Sequence, residues 1–272
     1  MGRTRDLSFV LWTALAGPAL AACGNDGTNH LADAPPGDAH LPIDTSPHFI
    51  VDVTTLPLVA ACGDAAPPTA DITVTSGGGH ALVISAASAD HGFTVTTPVP
   101  LTVAPGQTAT ISVRPPAAVV GTDLGGSTVT GVLTLTTNDP GAPSVTIALV
   151  STIHGANISI VDANGAAVTN FSFSSAGGAC PAPQAVFVKN SGDVTVQVGT
   201  SAGSHFALGG FASGDVSGGA LLQQTVRPFE QGSCSDTQEI TYQVTGAVCS
   251  DASGLTLTAT YNMNGASSCF CS

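Results

Sequence analysis

The sequence predicts an all-β protein: two tandem sandwiches behind a disordered N-terminal tether. Three observations carry this. From Phe49 onward, short runs of Val, Ile, Thr and Leu alternate apolar with polar, the period of a strand with one wet face. Gly, Pro, Asn and Asp interrupt these runs about every ten residues, which is the turn spacing of a sandwich. Finally, the chain repeats itself. Val113-Arg114-Pro115 recurs as Val226-Arg227-Pro228, Ser76-Gly77 as Ser191-Gly192, and Cys62 as Cys180, while His154-Gly155-Ala156 and Asn264-Gly265-Ala266 close the two copies. A repeat of this length fixes two units, 49–155 and 156–272, joined near Gly155-Ala156-Asn157. No window after the first 22 residues holds a helical period for three turns, so almost no helix is expected.

Taken in order, the chain opens with Arg3 and Arg5, an apolar run from Leu7 to Ala16, and Gly17-Pro18. This is the layout of a secretory signal with small residues before the cleavage point. Leu20-Ala21-Ala22-Cys23 resembles the lipobox of bacterial lipoproteins. The resemblance implies removal of residues 1–22 and a lipid-modified Cys23, its thioether-linked diacylglycerol accompanied by further acylation such as palmitate. One acyl chain binds only marginally and two anchor stably. No later segment has the ~18 consecutive apolar residues of a spanning helix.

Residues 23–48 are rich in Gly, Pro and Asp without apolar period. Such a segment buries too little surface to offset its ordering entropy, and it reads as a tether. His30 and His40 within it lack metal-ligand spacing. The whole chain carries 5 basic against 18 acidic residues, a net charge of −13. Nucleic acid is excluded as a partner, because isolated Arg114, Lys189 and Arg227 form no cationic patch.

In the first copy, Ala109, Ile111 and Val113 alternate with Thr110, Ser112 and Arg114, and Val145, Ile147 and Leu149 with Thr146 and Ala148. Asn138-Asp139-Pro140-Gly141 supplies Asx hydrogen bonding, a fixed proline φ and a free glycine, a turn between the last two strands. The run Val129–Ile153, with Ala104-Pro105-Gly106-Gln107 leading into Ile111-Ser112-Val113-Arg114-Pro115, resembles the choice-of-anchor D and ASPM-SPD-2-Hydin group. That group implies immunoglobulin-like domains, similar to major sperm protein and pilus-chaperone sandwiches. The resemblance covers about residues 55 to 155. The second copy departs from it, with Val248-Cys249-Ser250-Asp251 where the first has Asn138-Asp139-Pro140.

Few residues invite chemistry. Gly199-Thr200-Ser201-Ala202-Gly203 matches a nucleophile pattern after a strand, Val194 to Val198, but an elbow serine needs a helix behind it, and Ser204-His205-Phe206 offers none. It reads as a loop between strands, like Ser88-Ala89-Asp90-His91-Gly92-Phe93, with His91 and His205 beside core phenylalanines. Asp162-Ala163-Asn164-Gly165 starts like a calcium loop but lacks the later acidic ligand, and reads as a hairpin turn. No catalytic, cofactor or metal residue is assigned.

Apart from Cys23, six cysteines remain: Cys62, Cys180, Cys234, Cys249, Cys269 and Cys271. An even number in an oxidising compartment reads as disulfides, with 15 possible pairings among six thiols. Only Cys62 belongs to the first copy and five to the second, so complete pairing requires a bridge between the copies. The tail after Asn264 is expected to supply it, through Cys269 or Cys271. The competing reading leaves Cys62 free and the halves hinged at Gly155. The function expected is a lipid-anchored envelope protein, a non-enzymatic scaffold or interaction module with an envelope protein partner. The alternative is a surface adhesin or carbohydrate binder using sandwich-end loops, among them Gly209-Gly210-Phe211 and Ser217-Gly218-Gly219. Gly24 after the lipid cysteine favours the outer membrane.

Overall fold

A computed structural model describes residues 45–176, 180–228, 235–251 and 255–264. Cys23, residues 1–22, His30, His40, most of the expected tether, Cys234, Cys269 and Cys271 lie outside the described residues. Eighteen strands follow one another, and among the described residues there is no helix. The first half holds β1 (Phe49–Val51), β2 (Thr55–Ala61), β3 (Ala70–Ser76), β4 (Leu82–Ala89), β5 (Thr94–Val95), β6 (Leu101–Val103), β7 (Thr108–Arg114), β8 (Thr128–Thr137) and β9 (Ser144–His154). The second holds β10 (Ile158–Val161), β11 (Asn170–Ala176), β12 (Gln184–Asn190), β13 (Val196–Ala202), β14 (Phe206–Gly210), β15 (Ser213–Val216), β16 (Leu221–Pro228), β17 (Ser235–Thr245) and β18 (Thr256–Asn264).

Each half forms a four-stranded and a five-stranded sheet. In the first the orders are β1-β3-β7-β5 and β2-β9-β8-β4-β6; in the second they are β10-β12-β16-β14 and β11-β18-β17-β13-β15. The two pairs match strand for strand, so the internal repeat extends over the whole topology, including stretches where the sequences have diverged. In both halves the opening strand pairs antiparallel in one sheet, and the next crosses to lie parallel to the last strand of the other. Two sheets of this order around a common core, antiparallel except for the β2–β9 and β11–β18 pairs, are an immunoglobulin-like arrangement,.

Alternation builds each core. Ile111 and Val113 on β7 and Ile147 and Leu149 on β9 are buried, and their polar neighbours face outward. They join Ile72, Val74, Leu82, Ile84, Leu133 and Leu135 in the first cluster. The second gathers Val186, Val188, Val198, Val226, Ile240 and Leu257 around Phe173, Phe206 and Tyr261. Its rings meet in series, with centroids 5.9 and 5.6 Å apart, a range in which edge-to-face pairs are attractive. A buried polar set lies beside them: Tyr242 Oη donates to Gln224 Oε1 at 2.6 Å, and Gln224 Nε2 donates to the Phe211 carbonyl at 2.6 Å. Burial pushes the Tyr242 phenol well above its usual range, which keeps it a donor,.

The expected turn at Asn138-Asp139-Pro140-Gly141 joins β8 to β9. Asp139 Oδ1 accepts from Gly141 N at 2.7 Å and its Oδ2 from Phe49 N at 2.8 Å. The Phe49 amide is the largest influence holding this carboxyl below its ordinary range,. Residues just before β1 are tied to the fold: Gly77 N donates to the His48 carbonyl at 2.8 Å and His80 Nδ1 meets the Thr45 carbonyl. One detail of the repeat differs from expectation. The repeat register shifts by one residue, because Gly106 N donates to Ser76 O as Gly219 N does to Asn190 O. Ser76 therefore corresponds to Asn190 rather than Ser191.

Candidate functional site: the junction of the two sandwiches

The chain passes from β9 to β10 through Gly155, Ala156 and Asn157, and no part of that passage is loose. Asp193 Oδ1 accepts from Gly155 N at 2.9 Å, and Asp193 N donates to the Gly155 carbonyl at 3.1 Å. Ala156 N donates to Ala247 O, and Cys249 N to Ala156 O, at 2.8 and 2.9 Å. Asn157 donates Nδ2 to Gly125 O and accepts from Gly125 N. Ile158 N donates to Ser250 Oγ, in the place where Phe49 N meets Asp139 in the first half. Ala247, Cys249 and Ser250, which follow β17, thus clamp the end of the first sandwich. Their counterpart in the first half closes as a proline turn instead.

Inside this clamp Cys62 and Cys249 form a disulfide, Cα atoms 5.0 Å apart and 187 residues apart in sequence. Both are buried, in a small apolar cluster with Ala60, Ala118 and Ile153 that belongs to neither sandwich core. Glycines make room for it. A Cβ at Gly155 would overlap Cys249 Sγ, and one at Gly125 or Gly192 would overlap the Gly155 carbonyl oxygen. Backbones approach this closely only where side chains are absent.

A bridge between the copies was expected, but its second cysteine is not Cys269 or Cys271. The partner comes instead from the connection between β17 and β18. Cys249, on the turn before that strand, is already at the junction. The reading of Cys62 as a free thiol with a hinge at Gly155 is likewise overturned. Cys180 is disulfide-bonded too.

His154, the last residue of β9, meets Asp193 across the junction. Partial burial opposes the charge on Asp193, yet the Gly155 amide and His154 outweigh it and hold the carboxyl below its usual range,. Similar pairs among the described residues are His48 with Asp139, His91 with Asp90, and His205 with Asp236. Sequence reasoning treated these histidines singly, because most of the carboxylates lie far from them along the chain.

The remaining candidates resolve into structure. Gly199–Ala202 is not a loop between strands but the outer half of β13, which runs past Val198, and Ser201 Oγ lies 2.6 Å from Thr241 Oγ1. A serine inside a paired strand, with no helix behind it, has no elbow geometry,. The hollow over Gly199, Thr200, Ser201 and Gln243 holds about 130 Å³, below the ~300–1,000 Å³ typical of small-molecule sites. Asp162 Oδ1 accepts from the Asn164 and Ala166 amides at 2.8 and 2.9 Å, so its carboxylate closes a turn. The expected long segment from Gly209 to Gly219 is divided into β14 and β15. Phe211 N bonds to Gln223 O, and Ser217-Gly218-Gly219 is a tight turn closed by Ala220 N. His91 and His205 flank buried Phe93 and Phe206 as expected.

No family model and no curated protein matches this chain. Solved structures similar to it include the periplasmic chaperone SfaE, 12% identical over 80% of this chain and 100% of that one, with a TM-score of 0.31. Others are the D00-D0 domain of intimin, at 12%, 78%, 96% and 0.36, and mouse clustered PcdhgC3 EC1-3, at 13%, 80%, 67% and 0.41. The scores are too low for argument. The fold assignment rests on the strand order and registers of this chain itself.

Proposed function

We propose that this chain is a cell-envelope protein held by lipid on Cys23, in which the tandem sandwiches serve as a non-enzymatic scaffold or interaction module. The observation that carries the second half is the junction. A disulfide, a glycine-packed contact and paired main-chain hydrogen bonds join the two sandwiches. That is an arrangement for presenting a surface at set geometry, and Ser201, paired within β13 with no helix behind it, argues against hydrolysis. The choice-of-anchor D resemblance of the first half agrees with such a role, and the sequence Leu20-Ala21-Ala22-Cys23 supports the anchor.

The anchor is tested directly. Cys23→Ser abolishes incorporation of labelled palmitate and moves the protein from the membrane to the soluble fraction; unchanged membrane association refutes it. Cross-linking in intact envelopes followed by capture of the chain tests for an envelope partner. Gly24 favours the outer membrane. Protease added to intact cells separates a periplasm-facing scaffold, which is protected, from a surface adhesin, which is cut.

A further inference from the structure

The junction accounts for only part of the connection from β7 to β8. In the first half this connection takes residues 115–127, whereas its counterpart from β16 to β17 takes only 229–234. A sandwich of this topology therefore closes without the extra length, and surplus loop is where binding residues gather. Some of the surplus serves the contact between the halves: Ala118 joins the apolar cluster around the disulfide, Gly121 N donates to Cys249 O at 2.6 Å, and Gly125 N donates to Asn157 Oδ1. The rest is exposed. Val119, Val120 and Leu124 are 56, 47 and 61% exposed, although aliphatic. Among the described residues the other exposed large apolar side chains, Ile50, Val59, Val99, Val132 and Leu221, each lie on a different strand or connection. Single exposed aliphatics are ordinary, but several on one short segment mark an interaction surface.

Nor is the loop loose. Val119 N donates to Asp123 Oδ2 at 2.6 Å, the Asp123 and Thr122 amides donate to Val119 O at 2.9 and 3.1 Å, and Ser127 N donates to Leu124 O at 3.0 Å. Gly121 N and Gly126 N are bound to Cys249 O and Ile153 O, so the backbone beneath the three side chains is fixed. A surface preorganised in this way loses little freedom on binding. Its charge selects the partner. Asp123 lies within the loop, and Asp251 has its Cβ 3.8 Å from where a Cβ on Gly121 would stand. From 115 to 188 the chain has no Lys or Arg. We propose that the 119–124 loop docks into an apolar socket flanked by Lys or Arg on a protein partner. A bilayer fits less well, because anionic headgroups repel both carboxylates. The described chain also enters beside Asp139, at the other end of ten-residue β8, about 30 Å from the loop,. A second copy offers no such socket, since its Arg114, Lys189 and Arg227 are isolated. The surface is continuous with the junction, and a docked partner meets Asp251 of the second half as well as the loop of the first.

The proposal rests on the interaction-module reading, and its test separates the two. A photoreactive benzoylphenylalanine is placed at position 120 of the full chain in intact envelopes, and in separate chains at the solitary exposed positions 99 and 221. A protein adduct is expected from 120 and not from the other two, and the partner peptide it carries should combine aliphatic residues with Lys or Arg. Val119→Ser with Leu124→Ser should cut the yield at least about tenfold at unchanged melting temperature. Should that pair misfold, the probe moves to position 119 and a single charge is added beside it. Val120→Lys should then lose at least about threefold more adduct than Val120→Glu, because only the lysine opposes a cationic rim. No adduct from 120 overturns the proposal. So does an acidic partner peptide, an adduct to lipid or to a second copy, or the reverse order of the Lys and Glu variants. Adducts from 99 or 221 in place of 120 overturn this surface and leave the interaction-module reading standing, whereas silence at all three positions goes against both.

Discussion

Replacing both Cys62 and Cys249 with alanine removes the staple without leaving a free thiol, and the loss can be worked from the chain. The two residues are 187 apart, and the chain-entropy relation for a loop of that length gives about 5 kcal/mol at 25 °C. If the first sandwich stays folded while the second opens, the released loop runs only from Gly155 to Cys249, roughly 95 residues, and the figure falls slightly below 5 kcal/mol. The two estimates agree because the cost grows with the logarithm of length. For a folded unit of this size the melting point should fall by roughly 10–20 °C. Calorimetry should also resolve two transitions where the oxidised protein shows one, since the surviving contacts at Gly125, Gly192 and Asp193 are individually weak. A double variant melting within about 2 °C of wild type, in a single transition, would refute the account of the junction as covalently held.

Gly192→Ala forces a methyl group onto the Gly155 carbonyl and should lower stability by about 1–3 kcal/mol, with the change visible as a lengthened particle in solution scattering. Tyr242→Phe leaves Gln224 Oε1 buried without its donor and should cost about 1–3 kcal/mol in urea unfolding. Acid should weaken the fold with a definite sign. Asp139 and Asp193 have carboxyls held below their usual range, so their contribution is complete above the unfolded carboxylate pKa of about 4 and disappears as pH falls through the folded values. Unfolding midpoints should be flat from about pH 7 to 5 and drop below about pH 4, and Asp193→Asn should make that drop shallower.

Strand content and the doubled architecture were legible because alternation is a local signal: Ile111 and Val113, or Ile147 and Leu149, announce a buried face within a few residues. The turn at Asn138–Gly141 was legible for the same reason, each residue acting on its own backbone. The divergent turn at Val248–Asp251 was noticed as a departure, but its meaning depends on which pole of the sandwich it occupies. Counting hairpin reversals from β10 would have put it at the junction and named Cys249. The Gly199–Ala202 segment failed differently. Its two small residues weaken a strand by propensity, but pairing to Thr241, Tyr242 and Gln243 on β17 overrides that preference. The His–Asp pairs needed three-dimensional proximity that no spacing rule supplies.

The Cys62–Cys249 bridge also bears on how the chain matures. In any compartment the chain enters N-terminus first, Cys62 emerges early and waits while nearly 190 further residues arrive. Cys180 and Cys234 both reach the oxidising side before Cys249 does. An oxidant that joins thiols in order of appearance would link Cys62 to Cys180, stitching the wrong end of the second sandwich to the first. Reaching the native pairing therefore calls for thiol–disulfide exchange after the whole sequence has arrived, which makes the yield of this protein sensitive to a disulfide isomerase rather than to an oxidase alone.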